Sequence, residues 1–297
     1  MENNLLELWS IFDFLNPGLL GKANDFESRF CENGLPKSSL KRLVSPLIMR
    51  RKKSEVLDDL PPKTEILLPV ALSSEEQALY EALRRKALEK LSGKDETSRI
   101  AILAELTRLR RFCCHPSLAA SVAMEPLQGA KVMRLLELAR DLHEAGNRAL
   151  IFSQYVDFLH IVRGVFDKEG ISYQYLDGST LPAARMTAVD EFQAGNGDFF
   201  LISLKAGGTG LNLTAANYVI LTDPWWNPAV EEQAADRVHR IGQSQPVTLY
   251  RMITSDTVEE RVLELHARKK KSSDEILSES ESSGVTVQEL MSLFGNR

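Results

Sequence analysis

Gln233, Arg237 and Arg240 stand within ten residues of one another in the stretch EEQAADRVHRIGQSQ, residues 231–245, and together they suit a negatively charged group. Arginine offers a permanently charged, planar fork of donors, and a glutamine amide adds a neutral donor and an acceptor. At about 100° per residue on a helix, the three side chains fall within an arc of roughly 60°. Val230, Ala234, Val238 and Ile241 fall on the adjacent arc, so one flank is buried and a polar claw stands beside it. Asn227 suits the N-cap, Pro228 the first helical position and Gly242 the exit, which predicts a helix over 228–241. Asp236, four residues before Arg240, would equally suit a solvated, salt-bridged face. What stands nearby decides between the two. LKAGGTGLNL, residues 204–213, holds three glycines within four residues directly after an apolar run. Such glycines let backbone N–H groups approach phosphates, although a tight strand exit uses them too.

A scaffold must bring these pieces together. After Gly129 the chain alternates short apolar runs (RALIFS, YQYL, FFLIS, YVILT, VTLYRMI) with helical segments near 156–169, 182–194 and 228–241. Continuous apolar strands alternating with helices imply a parallel sheet with helices on both faces. Ligands on such sheets sit at the carboxyl ends of the strands. The polar and glycine-rich pieces lie there: SQ, DGST, LKAGGTG and DPWWNP. From Glu2 to about Pro126 the pattern reads as helical and irregular, with a capping box at Ser73 and Glu76 opening one helix. KKKSSDEILSESESSG, residues 269–284, reads as a loosely held extension.

Composition narrows the class. The chain has 297 residues, 43% of them hydrophobic, enough for a sizeable core and two domains. No apolar run approaches the ~20 residues that cross a bilayer, and MENNLLELWS lacks a basic region ahead of an apolar one. A soluble, unsecreted protein with no membrane partner is expected. Cys31, Cys113 and Cys114 cannot build a disulfide framework and fit a reducing compartment. Net charge is 36 − 41 = −5, against wholesale coating of nucleic acid. The basic residues cluster, however, in KRLVSPLIMRRKK, RLRR and RKKK, and a locally basic surface can hold a phosphate backbone. RRKK by itself is a weak nuclear signal.

FSQY, LDGST followed by Arg185, LKAGGTGLNLTAANYVILTDPWWNP and QAADRVHRIGQ resemble motifs IV, IVa, V and VI of the Swi/Snf-type DNA translocases of helicase superfamily two. MENNLLELWSIFDFLNPGLLG resembles the segment after motif III, LVSPLIMRRKKSEVLDDLPPK the helical protrusion and linker, and TVEERVLELHARKK the brace helix. The ordered set covers nearly the whole chain, and the pattern is nearest the compact bacterial members. CCHP, residues 113–116, matches a helical packing element of the family, and with no second ligand pair nearby no metal site is expected.

The resemblance implies a RecA-like α/β lobe, a parallel sheet with helices on both faces, preceded by an α-helical protrusion and linker region. The expected division is 1–126 for protrusion and linker, 127–255 for the lobe, and 256–297 for brace helix and tail. It implies ATP in a cleft between two lobes, with magnesium held mainly by the other lobe. Arg237 and Arg240 would face the γ-phosphate as arginine fingers, and Gln233 would position the phosphate or the attacking water. Gly208, Gly210 and Asn212 would approach the nucleotide. Ser153, Gln154, Gly178, Ser179, Thr180 and Lys205 would meet the backbone of double-stranded DNA, contacts that position without reading bases. Trp226 matches the position that lies against DNA, whereas Trp225 departs from the commoner acidic residue; two tryptophans before a cap also suit a packing anchor.

The family's phosphate loop, G-x-x-x-x-G-K-[ST], and its acidic metal motif are absent from these residues, since neither Gly21-Lys22 nor Gly93-Lys94 qualifies. The preceding Thr-Pro is absent as well. The expectation is therefore the C-terminal half of a larger ATPase, inactive alone, whose partners are its own N-terminal RecA-like lobe, duplex DNA and DNA-bound proteins. A cytoplasmic, nucleoid-associated location follows if the source is bacterial. Half of an RNA helicase and a non-catalytic RecA-like binding module are the competing readings.

Overall fold

The computed structural model describes residues 5–32, 37–49, 60–92, 98–119, 129–207, 211–240, 242–275 and 286–295. The chain divides into two compact units, 1–58 with 267–284 and 59–266 with 285–297. In the first unit, helices Leu5–Leu15, Ala23–Glu27 and Lys37–Val44 bury Leu8, Phe12, Phe26 and Leu40 among themselves. The Trp9 indole N–H donates to the Gly21 carbonyl (2.9 Å) and ties the first helix to the turn that follows it.

The second unit is built on six parallel strands: β1 (Lys63–Val70), β2 (Ala149–Ser153), β3 (Tyr173–Leu176), β4 (Phe199–Ser203), β5 (Tyr218–Leu221) and β6 (Val247–Thr254), in the order β1-β6-β5-β2-β4-β3. Alternation along each strand deals its side chains to two cores. Ala149, Ile151, Phe199 and Leu201 face helices Ala130–Glu144 and Val156–Glu169. Leu150, Phe152, Phe200 and Ile202 face helices Pro182–Gln193 and Pro228–Ala235. Both faces are covered, as the apolar runs require.

The reading of residues 2–126 as helical and irregular missed β1. Its eight residues pair with β6 from Lys63↔Val247 to Val70↔Thr254. Pro69 inside the run argues against a central strand, but at the edge its missing N–H costs no ladder bond on the unpaired side.

A third layer packs helices Ser74–Ser92, Arg99–Cys114, Val258–Glu275 and Val287–Ser292 around Tyr80, Phe112, Val262 and Phe294. The Ser73–Glu76 capping box is present, with the Ser73 hydroxyl accepting from Glu76 N (3.2 Å) and Glu76 Oε2 from Ser73 N (2.9 Å). Glu76 Oε1 also accepts from Ala130 N (3.0 Å), so one carboxylate caps two helices. The stretch read as a loose extension is helical up to Glu275, and its remainder lies outside the described residues. Beyond it, Thr286 and Glu289 form a second capping box, and Leu290, Leu293 and Phe294 are buried. Cys113, Cys114 and His115 of the CCHP stretch are buried as well, both thiols free.

Candidate functional site

Because every strand runs the same way, the loops after β2, β3, β4 and β5 leave one edge of the sheet, and the candidate residues are carried on these loops and on the chain after Pro228. The helix expected over 228–241 is shorter. Regular α-helix spans Pro228–Ala235, after which the chain tightens: Arg237 N donates to Ala234 O (3.2 Å) and Val238 N to Ala235 O (3.1 Å). Gly242 makes the exit at φ +98°. Three-residue turns rotate side chains further per residue than an α-helix does, so the common arc is lost. Gln233 and Arg240 are exposed, whereas Arg237 is only 5% exposed. The claw is split.

The same tightening joins the two phosphate-suited pieces. Leu213 N donates to the Arg237 carbonyl (3.2 Å), and Arg240 Nη1 reaches the Leu211 carbonyl at 3.5 Å. Asn212, exposed between them, is thereby held beside both arginines. Gly208 and Gly210 lie outside the described residues. Burial, and secondarily Arg240, push the Arg237 guanidinium below its ordinary pKa, and its Nε has no hydrogen-bond partner among the described residues. A buried, incompletely satisfied cation is costly, and an anion arriving from outside would relieve it. Gln243, which the sequence reading passed over, holds the turn: its amide donates to Ala216 O (2.8 Å) and Thr214 O (3.2 Å). The only sequence signal was a buried-type position after a glycine exit.

On the other loops the central residue is one the motif reading did not single out. Asp223, 1% exposed at the end of β5, accepts from Ser153 Oγ (2.5 Å), Thr222 Oγ1 (3.0 Å), Gln154 N (3.3 Å) and Gln154 Nε2 (2.5 Å). Ser153 is itself fully buried, so its hydroxyl is not a surface donor and serves Asp223 instead. Gln154 is half-buried, with its amide also on the Pro224 carbonyl (3.2 Å). An acid at a strand end before proline was the available clue. Lys205 lies in the short helix Leu204–Gly207 after β4. The two tryptophans join different layers: Trp225 packs on the sheet's core, Trp226 on the helical layer.

After β3, Asp177 organises the turn. It accepts from Ser179 N (2.8 Å), Ser179 Oγ (2.6 Å) and Tyr175 OH (2.6 Å), while Thr180 Oγ1 takes Asp177 N (3.1 Å). Gly178 and Ser179 are thereby presented outward. Burial alone would raise the Asp177 pKa, but the hydrogen bonds from Ser179, Tyr175 and Thr180 outweigh it and hold the carboxyl at about 2. With a folded pKa below the unfolded value of about 3.9, the carboxylate's contribution is complete above that value and is lost as pH falls toward 2. Asp177→Asn is therefore expected to lower stability by about 1–3 kcal/mol at pH 6. In urea melts from pH 6 to pH 3 the gap to wild type should narrow; a gap that widens on acidification would refute this account.

Among the described residues no three His, Cys, Asp or Glu side chains gather as a metal site, and no helix is long and apolar enough to cross a membrane. Residues 130–242 match the helicase conserved C-terminal domain, and residues 1–118 match the SNF2-related domain. The putative ATP-dependent helicase/translocase YwqA of Bacillus subtilis is 39% identical over 99% of this chain and 33% of its own length. The human SWI/SNF-related matrix-associated actin-dependent regulator of chromatin subfamily A member 1 is 38% identical over 89% of this chain and 27% of its own. The chain thus spans about a third of the length of the curated relatives it matches. Among solved structures, the Sulfolobus solfataricus SWI2/SNF2 ATPase core in complex with dsDNA superposes with a TM-score of 0.66 at 33% identity, over 98% of this chain and 64% of that one. The two domain matches meet on the same sheet whose loops carry the ordered motifs, and the chain belongs to the Swi/Snf family of helicase superfamily two.

Proposed function

We propose that this chain is the C-terminal motor half of a Swi/Snf-type ATPase that translocates on double-stranded DNA and displaces or remodels DNA-bound proteins. The observation that carries the reading is the junction of residues 211–213 with Arg237 and Arg240, which brings two cations to one stretch of backbone. Arg237 and Arg240 meet the phosphates of ATP from this side and neutralise charge on the transferring group. Asn212 flanks them, with Gly208 and Gly210 beside it in sequence, and Gln233 stands exposed one turn before. Transfer of the γ-phosphoryl group of ATP to water, with ADP as the leaving group, would supply the energy for movement. The arginines and amides here suit the phosphates of ATP, and magnesium and the phosphate loop are assigned to the first lobe. Residues 1–126 serve as protrusion and linker, with β1 of that stretch completing the sheet of the 127–255 lobe, and residues 256–297 serve as brace and tail.

DNA runs across the loops after β2 to β5. The outward Gly178–Ser179 turn, Gln154, Thr180, Lys205 and Trp226 meet the backbone, and Ser153 acts through Asp223. Support comes from the relative whose ATPase core is described in complex with dsDNA. A salt titration of this chain on two unrelated duplexes and an RNA tests the reading. Binding should be sequence-independent, with Kd of ~10⁻⁴–10⁻⁶ M or weaker, and should fall steeply with salt. Lys205→Ala should reduce the salt slope by about one, while Trp226→Ala should weaken binding at unchanged slope. Preference for one duplex, tighter binding of RNA, or an unaltered slope in the lysine variant would count against it.

A further inference from the structure

Arg110, on helix Arg99–Cys114, is 1% exposed. Its Nη2 donates to the Pro224 carbonyl. Its guanidinium carbon lies 4.9 Å from the Trp226 ring centroid and 5.9 Å from that of Tyr155, within cation–π range. Its Nε has no partner among the described residues. A buried cation with an unmet donor is a poor choice for packing alone, where a methionine of similar length would fill the space without desolvation cost. The partners it does have are specific. The Pro224 carbonyl also accepts from Gln154 Nε2 (3.2 Å), and the Trp226 carbonyl accepts from Nε2 of His266 (3.2 Å), on helix Val258–Glu275. The helical layer therefore holds the loop after β5 at Pro224 and Trp226, and Arg110 touches that loop and the residue after Gln154 on the loop after β2.

We propose that Arg110 is a positioning residue for the DNA face: it fixes the Trp226 ring and the Pro224 carbonyl, and through that carbonyl the Gln154 amide. The inference rests on the assignment of Gln154 and Trp226 to DNA, but Arg110 itself touches no phosphate. Lysine cannot replace it fully, because the planar fork both donates and stacks.

The test uses this chain with Trp9→Phe and Trp225→Phe, which leaves Trp226 as the one indole of the three. In Arg110→Met, acrylamide quenching of Trp226 should rise about twofold or more as the ring loses its cover, and duplex binding should weaken about five- to tenfold, within the range of coupled neighbours. The salt slope should stay as in the parent chain, unlike that of a phosphate-contacting variant. Measured in the same chain without the two phenylalanine substitutions, Arg110→Met with Trp226→Ala should lose less affinity than the two single losses summed. Arg110→Lys should show the same changes at smaller size, and it decides the matter if the methionine variant does not fold. Wild-type quenching and affinity in the Arg110 variants, beside a weakened Trp226→Ala, would overturn the proposal, as would additive losses in the double variant. If Trp226→Ala and Gln154→Ala both bind DNA like wild type, the DNA-face assignment fails instead, and Trp226 quenching still reports whether Arg110 holds the loop.

Discussion

Replacing Arg240 by alanine, in a protein carrying both motor halves, is expected to lower DNA-stimulated kcat by ~10³–10⁵, the range of an arginine finger, or roughly 4–7 kcal/mol of barrier. DNA affinity should barely change. Arg240 is exposed and its one described side-chain bond, to the Leu211 carbonyl, is long at 3.5 Å, so the loss should be catalytic and not structural. Arg237 is a different case. It is buried beside Arg240, so Arg237→Ala combines the same loss of rate with a change in stability, and Arg237→Lys separates the two by keeping a cation in place. Steady-state phosphate release against ATP and against duplex concentration resolves kcat from both half-saturation constants. An Arg240 variant that kept its kcat but bound duplex tenfold more weakly would move that arginine from the nucleotide to the DNA.

The second large effect concerns folding. Lys131 and Glu259 form an ion pair of 2.5 Å with side chains 1% and 0% exposed, joining helix Ala130–Glu144 to helix Val258–Glu275. Lys131 Nζ also donates to the Thr222 carbonyl (2.8 Å), next to Asp223, and Glu259 Oε2 accepts from Thr254 N (2.9 Å). Burial alone would lower the Lys131 pKa, but Glu259 raises it above the ordinary lysine value, so the cation persists to high pH. Lys131→Met leaves a buried carboxylate without its counter-ion and should cost about 3–5 kcal/mol. That is a large share of the 5–15 kcal/mol of a typical domain. Adding Glu259→Leu should restore part of it, leaving a deficit of about 1–3 kcal/mol because Thr254 N–H loses its acceptor. Urea denaturation of the single and double variants measures each step. A single variant within 1 kcal/mol of wild type would show that the pair contributes little.

The apolar runs at 149–153, 173–176, 199–203, 218–221 and 247–254 were legible as strands because each is bounded by turn residues and filled with residues that a two-sided sheet requires. β1 was not legible, since KTEILLPV carries a glutamate, a lysine and an internal proline that only an edge position accommodates. The arginine pair stood out in the sequence as a candidate anion site from residue type and spacing. Its split into one exposed and one buried member was not, because the tightening after Ala235 accompanies the burial of Val238 and the bond from Leu213 N to Arg237.

Periodicity, caps and the ordered motifs are short-range properties, written within a few residues of one another, and by themselves they determined the alternating α/β architecture, the helix start at Ser73, and the loops that hold the polar and glycine-rich pieces. Partnership is long-range. Ser153 is committed to Asp223 across 70 positions and Arg110 to Pro224 across 114, and no local pattern encodes either. Desolvation made those pairings necessary: once the sheet and the helical layer closed over these groups, each buried donor needed an acceptor the fold had brought near. Only the tertiary structure therefore decided that Ser153 is spent on Asp223, that Asp223 ties the loop after β2 to the loop after β5, and that a surface-type arginine from RLRR lies buried under Trp226.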